Sequence, residues 1–457
     1  MNLNREILRL AVPSIFANIT VPLVGMVDMA VVGHLQGAAS ATLIGGISIG
    51  TMLFDLLYWS FGFLRTGTGG LTAQAYGRRE RTDGILRRAL RIALISGLAL
   101  IALQWAVLWL AFLFVECSPE VKELAIQYFH IRIWAAPATL SLFAFKGWFI
   151  GMQDSVRPMT ADLLVNGLNI LLSLGLGFGW AGLPSMGFAG VALGTVIAQW
   201  GGFLYCTLCS WKRCKSNGYG KFCATAGTQK NPQVAEGEEI AAQMGRFLKL
   251  NGDLFLRSTG MIAVYIGFTV ISARYGDMML AVSSIIMKLL MFFSYFTDGF
   301  AFAGEALSGR FIGERSKDGL RSTIKGVFAW SAALALVFMA AYGLGGMPIF
   351  RLMASDPSVA DAGREFLPWL LLMPVIGCPA FVWDGIFIGA TASADLRNST
   401  LLCAIGFFAV WFAGCALGAD DTPQHAIHLL MLAYFMHLAV RSVYLSLRYP
   451  SARWITS

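Results

Sequence analysis

The sequence predicts an all-α membrane protein, with about twelve transmembrane helices arranged in two pseudo-symmetric six-helix bundles. Three observations predict it. Of 457 residues, 57% are hydrophobic and only 13% charged, whereas soluble domains carry about 25% charged residues. Long stretches carry no charge at all, and the two halves of the chain repeat one another.

The spans follow in order from the apolar runs, at about 20 residues per crossing. They are expected at 8–33, 43–68, 89–115, 121–150, 158–180, 187–210, 247–273, 279–305, 323–345, 362–390, 398–418 and 424–447. Ile92–Val115 and Gly326–Phe350 are free of charge. Leu163–Trp211 is also charge-free and holds two crossings around the Gly/Pro turn GWAGLPSMG. Runs of this length select helices, because barrel strands alternate over about 10 residues.

Loop charge sets the expected orientation. Arg78, Arg79, Arg81, Arg87, Arg88 and Arg91 follow the second span. Arg310, Arg315, Lys317, Arg321 and Lys325 follow the eighth. Lys212, Arg213, Lys215, Lys221, Lys230, Arg246 and Lys249 lie between the sixth and seventh. The opposite loops, HLQGAAS, GWAGLPSMG and GADDTPQ, are poor in Lys and Arg. Both termini are therefore expected in the cytoplasm, and MNLNREILRL is expected to be retained ahead of the first span. The formal charge of +8 is spread over several loops of one face, which argues for topology and against nucleic acid. Eight cysteines give no disulfide framework. Cys206 and Cys209 form C-x2-C, with Cys214 and Cys223 following, but no ordered second pair or His completes a zinc set. No DDxxD, HExxH or Ser/His/Asp constellation appears, which speaks against an enzyme.

The repeat is read from three matches. FKGWFIGMQDS at Phe145 pairs with WDGIFIGATAS at Trp383, with Gly147, Phe149, Ile150, Gly151 and Ser155 opposite Gly385, Phe387, Ile388, Gly389 and Ser393 at an offset of 238. FGFLRTGT at Phe61 pairs with DGFAFAGE at Asp298 at an offset of 237, as do Phe129 and Pro137 with Phe366 and Pro374. The expected domains are an N-terminal six-helix lobe (1–211), a polar and mobile cytoplasmic linker (212–246) and a C-terminal six-helix lobe (247–457). Six helices per half put both halves the same way up, with a cleft between them suited to alternating access.

Polar residues recur at helical spacing inside the spans. Asp28 stands in the apolar run Leu10–Val32, where a charge costs about 2.5 to 3.5 kcal/mol at the bilayer centre. Ser14, Asn18, Gly25 and Asp28 share one face, and Pro22 permits a bend ahead of Asp28. Asp162, Asn166, Asn169 and Ser173 form a second stripe, and Lys288, Tyr295, Asp298 and Glu305 a third. Arg132, Thr139 and Lys146 form another, as do Asp55, Tyr58, Gly62 and Arg65. Such stripes face other helices or a cavity. Lys146 and Asp384 occupy equivalent repeat positions and are either pairing partners or substrate contacts. Asp253 and Arg257, one turn apart, read as a structural pair. Glu305, Asp162 and Arg65 lie near the cytoplasmic ends and read as snorkelling side chains or gate salt bridges rather than substrate contacts. Aligning HLQG at His34 with RYGD at Arg274 sets Phe268 opposite Asp28, so the carboxylate belongs to the N-terminal half alone.

VPLVGMVDMAVVGHL (21–35), FGFLRTGTGGLTAQAYG (61–77), GWFIGMQ (147–153), LNGDLFLRS (250–258) and VWDGIFIGATASADLRNS (382–399) together resemble the multidrug and toxic compound extrusion (MATE) transporters, most of all their DinF-like branch. The resemblance implies a multi-pass protein of a bacterial-type plasma (inner) membrane that exports amphipathic organic compounds against proton or sodium entry. It implies a coupling acid at Asp28, with the helix-5 asparagines at Asn166 and Asn169 and a helix-6 threonine at Thr195. The family often has an Asp where this chain has Ser173, so a carboxylate is missing from the expected ion site. A lone buried Asp among amides suits a proton better than sodium, because burial disfavours the charged form. The expected ion-coupling set is thus Asp28, Asn166, Asn169, Ser173 and Thr195. The expected substrate cavity holds Asn18, Pro22, Gly25, Lys146, Asp384, Lys288, Tyr295 and Asp298. No cofactor beyond the coupling proton and no metal is expected. The expected partners are a small amphipathic organic substrate and the bilayer, with the protein a monomer. A lipid-linked oligosaccharide or lipid flippase of related architecture is the alternative reading.

Overall fold

The computed structural model describes residues 3–35, 40–113, 115, 117–182, 184–214, 236–353 and 357–450. The central part of the expected linker, 215–235, and with it Cys223, lies outside the described residues. Every long element is helical. In chain order they are α1 (Leu3–Gly33), α2 (Ser40–Ser60), α3 (Phe63–Gly77), α4 (Asp83–Ala102), α5 (Gln104–Ala111), α6 (Pro119–Arg132), α7 (Ala136–Gly151), α8 (Val156–Phe178) and α9 (Gly187–Cys214). There follow α10 (Glu236–Ala273), α11 (Asp277–Gly313), α12 (Lys317–Met353), α13 (Pro357–Gly363), α14 (Leu367–Gly389), α15 (Ser393–Ala416) and α16 (Pro423–Arg448).

Eleven helices among the described residues are long and apolar enough to cross a membrane, or twelve if the bent pair α4–α5 is one span. Each falls on a run expected from the sequence. The differences are at the ends and at one bend. The second span continues through α3 to Gly77, and the eighth runs to Gly313, because a helix does not stop where its apolar window does. α4 and α5 meet at 66°, and His130 Nδ1 lies 2.8 Å from Gln104 Oε1, tying the start of α5 to α6. Ser118 caps α6 by accepting from Val121 N–H, and Thr422 caps α16 by accepting from His425 N–H, each followed by a proline at the first helical position.

The chain forms two compact units. One comprises Phe16–Thr72 and Arg81–Leu248, and the other Met1–Ile15, Ala73–Glu80 and Lys249–Ser457. The division therefore falls inside α1 and near the end of α3. Within the first unit α8 packs on α9, α4 on α7 and α2 on α6. Within the second, α15 packs on α16, α12 on α14 and α11 on α14. The pairs α8–α9 and α15–α16 correspond through the repeat, as do α4–α7 and α12–α14.

The repeated glycines have a steric cause. A Cβ on Gly147 would lie 2.2 Å from the Arg65 carbonyl oxygen, and a Cβ on Gly385 would lie 2.1 Å from the Ala301 carbonyl oxygen. The same crossing, one backbone against another, is built once in each unit. Gly147→Ala and Gly385→Ala each push two backbones apart. Each is expected to destabilise the protein by about 1 to 3 kcal/mol, read as a lower unfolding temperature in detergent. An unchanged temperature for both would show that the crossings yield freely.

Candidate functional site

The site forms in the first unit, where α1, α8 and α9 meet. Small residues allow the approach. A Cβ on Gly190 would lie 2.4 Å from the Leu176 carbonyl oxygen, and one on Gly194 would lie 3.0 Å from Ser173 N. With α9 that close to α8, Asn169 Nδ2 donates to Thr195 Oγ1 at 2.8 Å, and Thr195 Oγ1 donates in turn to the Val191 carbonyl at 3.3 Å.

Asp28 projects from α1 into this junction and is 7% exposed. Ser173 Oγ donates to its Oδ1 at 2.8 Å, and the Asn169 side chain is a further hydrogen-bond partner. Ser173 is fully buried and Asn169 nearly so. Asn169 Oδ1 is buried without a hydrogen-bond partner among the described residues. Arg132 acts on Asp28 electrostatically without an ion pair. One turn away, Asn166 Nδ2 donates to Thr20 Oγ1 at 2.6 Å, and Thr20 donates to the Ala17 carbonyl. Asp28, Asn169, Ser173 and Thr195 thus form one connected cluster, and Asn166 ties α8 to α1 beside it. Asn18, Pro22 and Gly25 lie on the preceding turns of α1, partly exposed. A Cβ on Gly25 would meet nothing within 4 Å, so that face of α1 is open. α1 runs unbroken through Pro22.

The equivalent residues Lys146 and Asp384 are both ion-paired, with opposite sign. Lys146 Nζ pairs with Asp162 in the first unit. Asp384 lies in the second unit between two arginines. Arg257 Nη2 donates to Asp384 Oδ2 at 2.6 Å, Arg441 Nε donates to Oδ1 at 2.9 Å, and Arg441 Nη2 also pairs with Oδ2. Asp298 and Glu305 add their fields to Arg257. Lys288 of the same stripe is exposed and Tyr295 half-buried.

Two expectations are corrected here. Asp253 and Arg257 do not pair. Asp253 accepts from Arg397 Nη1 at 2.5 Å and Ser393 Oγ at 2.8 Å, while Arg257 goes to Asp384. Glu305 is fully buried and does not snorkel; Asp162, by contrast, forms a salt bridge with Lys146, one of the two alternatives expected for it. Arg441 and Arg397 were missed as site partners. A signal existed for Arg441, since an arginine in HLAVRSVYL must find an anion.

This is the architecture of a polytopic transporter, two units of packed spanning helices with buried polar groups inside each. The MatE family model matches residues 13–174 and again 255–417. The chain belongs to that family, the MATE transporters, and is a transporter rather than an enzyme. It is 34% identical over 446 residues to DNA damage-inducible protein F of Escherichia coli, covering 97% of this chain and 91% of that protein. A probable multidrug resistance protein NorM of Thermotoga maritima is 24% identical over 466 residues, covering 99% and 93%. Among solved structures, a MOP superfamily transporter from Pyrococcus furiosus superposes with a TM-score of 0.82 at 17% identity, covering 100% of this chain and 97% of that one. An outward-facing multidrug resistance MATE family transporter gives 0.77 at 18% identity, covering 100% and 98%.

The Asp384 pairs carry a stability prediction. Asp384→Asn leaves Arg257 and Arg441 buried without their shared anion. The loss expected is about 3 to 5 kcal/mol, measured as the unfolding midpoint of purified protein. Asp384→Glu is expected to recover part of it.

Proposed function

We propose that this chain is a proton-coupled antiporter that exports amphipathic organic compounds by alternating access, with Asp28 as the proton-carrying group. The observation that carries the reading is the setting of Asp28. It is a buried carboxylate on a spanning helix, held by a hydroxyl and an amide rather than locked to a basic residue. Ser173 stands where a second acid would favour a sodium ion, which binds best to several oxygens carrying charge. The multidrug resistance relatives support export of organic compounds.

The cycle follows from charge. The ionised Asp28 accepts Ser173 and Asn169 and draws on the field of Arg132. Taking up a proton removes the cost of a buried charge and reverses one acceptor into a donor. That changes what α8 can offer it and permits α1 to bend at Pro22. The proton drives transport only through its unequal affinity for the outward-open and inward-open states. In this reading the lobes 1–211 and 247–457, joined by the linker 212–246, rearrange about the site. Both termini lie in the cytoplasm of a bacterial-type inner membrane, and the monomer is the working unit.

The test uses proteoliposomes loaded with a fluorescent organic cation. A proton gradient is expected to drive transport and a sodium gradient of equal size is not. Asp28→Asn is expected to abolish uphill transport while leaving the protein folded. Transport that follows sodium and ignores pH, or an Asp28→Asn protein that still concentrates substrate, contradicts the proposal.

A further inference from the structure

The division into two units does not follow the sequence repeat. The end of α3, Ala73–Glu80, belongs to the second unit, as does Met1–Ile15 of α1. LTAQAYGRR at Leu71 and LSGRFIGER at Leu307 are repeat counterparts at an offset of 236. The backbone supports that pairing. Arg79 and Arg315 both take positive φ, 59° and 56°. The two helix ends also close alike, with Glu80 N–H donating to the Ala75 carbonyl at 2.8 Å and Ser316 N–H to the Phe311 carbonyl at 2.9 Å, the bond that ends a helix in a Schellman turn.

These counterparts lie against each other. A Cβ on Gly77 would strike the Arg310 carbonyl oxygen, and one on Gly313 would strike the Gln74 carbonyl oxygen. Gln74 and Arg310 are themselves counterparts, so the contact is reciprocal, as in an interface across a two-fold axis. A Cβ on Gly309 would lie 2.5 Å from that of its counterpart Ala73. Ala73, Gly77, Gly309 and Gly313 are all buried. Backbone meets backbone here, and such a fit is lost on a small displacement, because dispersion falls steeply with distance. A side chain reinforces it. Gln74 Nε2 donates to the Gly389 carbonyl at 3.0 Å and to Thr391 Oγ1 at 3.2 Å, at the end of α14. Its counterpart Arg310 turns elsewhere, Nη1 donating to Glu6 Oε2 of α1 at 3.3 Å and Nε to Glu314 Oε1 at 2.9 Å.

We propose that this crossing is a gate that parts and closes during transport, and that the Gln74 amide is its latch. The inference rests on the alternating-access reading above and adds to it the place where the repeats part and the group that sets how often they do. The crossings at Gly147 and Gly385 each join helices of one repeat, with Arg65 and Ala301 opposite. The crossing of α3 with α11 joins one repeat to the other at matching positions. The flanking Arg78, Arg79 and Arg315 put it at the cytoplasmic face. A neutral amide suits a latch, because water can take over its two hydrogen bonds when the ends separate, at a net cost far below that of breaking a buried ion pair.

Nitroxides on ketone-bearing residues at positions 79 and 315, both exposed, leave the native cysteines unlabelled. Pulsed electron paramagnetic resonance on the full chain in nanodiscs then measures their separation, in acid and at alkaline pH, with sodium, and with tetraphenylphosphonium. A short and a longer distance are expected, their ratio changing across these conditions. Gln74→Met keeps the length of the side chain and removes its donors. It is expected to raise the longer population relative to the short one about fivefold, as the loss of one hydrogen bond implies. Gly77→Ala and Gly313→Ala are expected to shift the same ratio with the unfolding temperature nearly unchanged, because the open form accommodates the methyl group. Gly147→Ala, inside one repeat, is expected to lower that temperature without moving the ratio. A single short distance in every condition and variant overturns the gate and makes the crossing a fixed anchor, with the helices bending elsewhere; alternating access survives that result. A ratio that ignores Gln74→Met overturns the latch alone. Two distances in a chain that moves tetraphenylphosphonium under no gradient uphold the gate and count against the export reading.

Discussion

A charged group inside a spanning helix must be compensated within protein, because hydrocarbon offers it nothing. That constraint organises both units. Where compensation is complete, the group is held in an ion pair, as with Asp384 between Arg257 and Arg441 or Lys146 against Asp162. Where it is partial, the group can respond. Asp28 has a hydroxyl, an amide and the field of Arg132, with no ion pair among the described residues. In the proposed cycle, the difference between a fixed ion pair and a hydrogen-bonded acid is what separates scaffold from engine.

The two units meet the constraint with opposite signs at one repeat position. Lys146 and Asp384 both stand one residue ahead of the glycine that crosses a neighbouring backbone. The close crossing is common to both units, while the charge it presents is inverted. Duplication supplied the geometry, and the side chains at that crossing then diverged. The second unit sets Asp384 between two arginines, and the first holds Asp28 by hydrogen bonds without an ion pair among the described residues.

Much of this was legible from residue pattern. Asp28 lies on one polar face of α1 and Asn166, Asn169 and Ser173 on one face of α8, as periodicity reads them; that the two faces belong to one site was implied by the family resemblance. The repeat was readable because Gly147 and Gly385 are held by the same steric demand. Partner choice across helices was not readable. Asp253 and Arg257 are one turn apart and look like a pair, yet each has a better partner on another helix, because local spacing says nothing of what packs opposite. The bend between α4 and α5 carries no proline or glycine at Leu103, and the polar contact of Gln104 with His130 that accompanies it is tertiary.

The most direct measurement is infrared difference spectroscopy of the carboxyl stretch, recorded on the reconstituted protein as substrate is added at mildly acidic pH. The account predicts that substrate binding removes the band of one protonated carboxylic acid, and that Asp28→Asn lacks this change. A band that disappears equally in Asp28→Asn, or no loss of a protonated acid in the wild type while substrate binds, would contradict it.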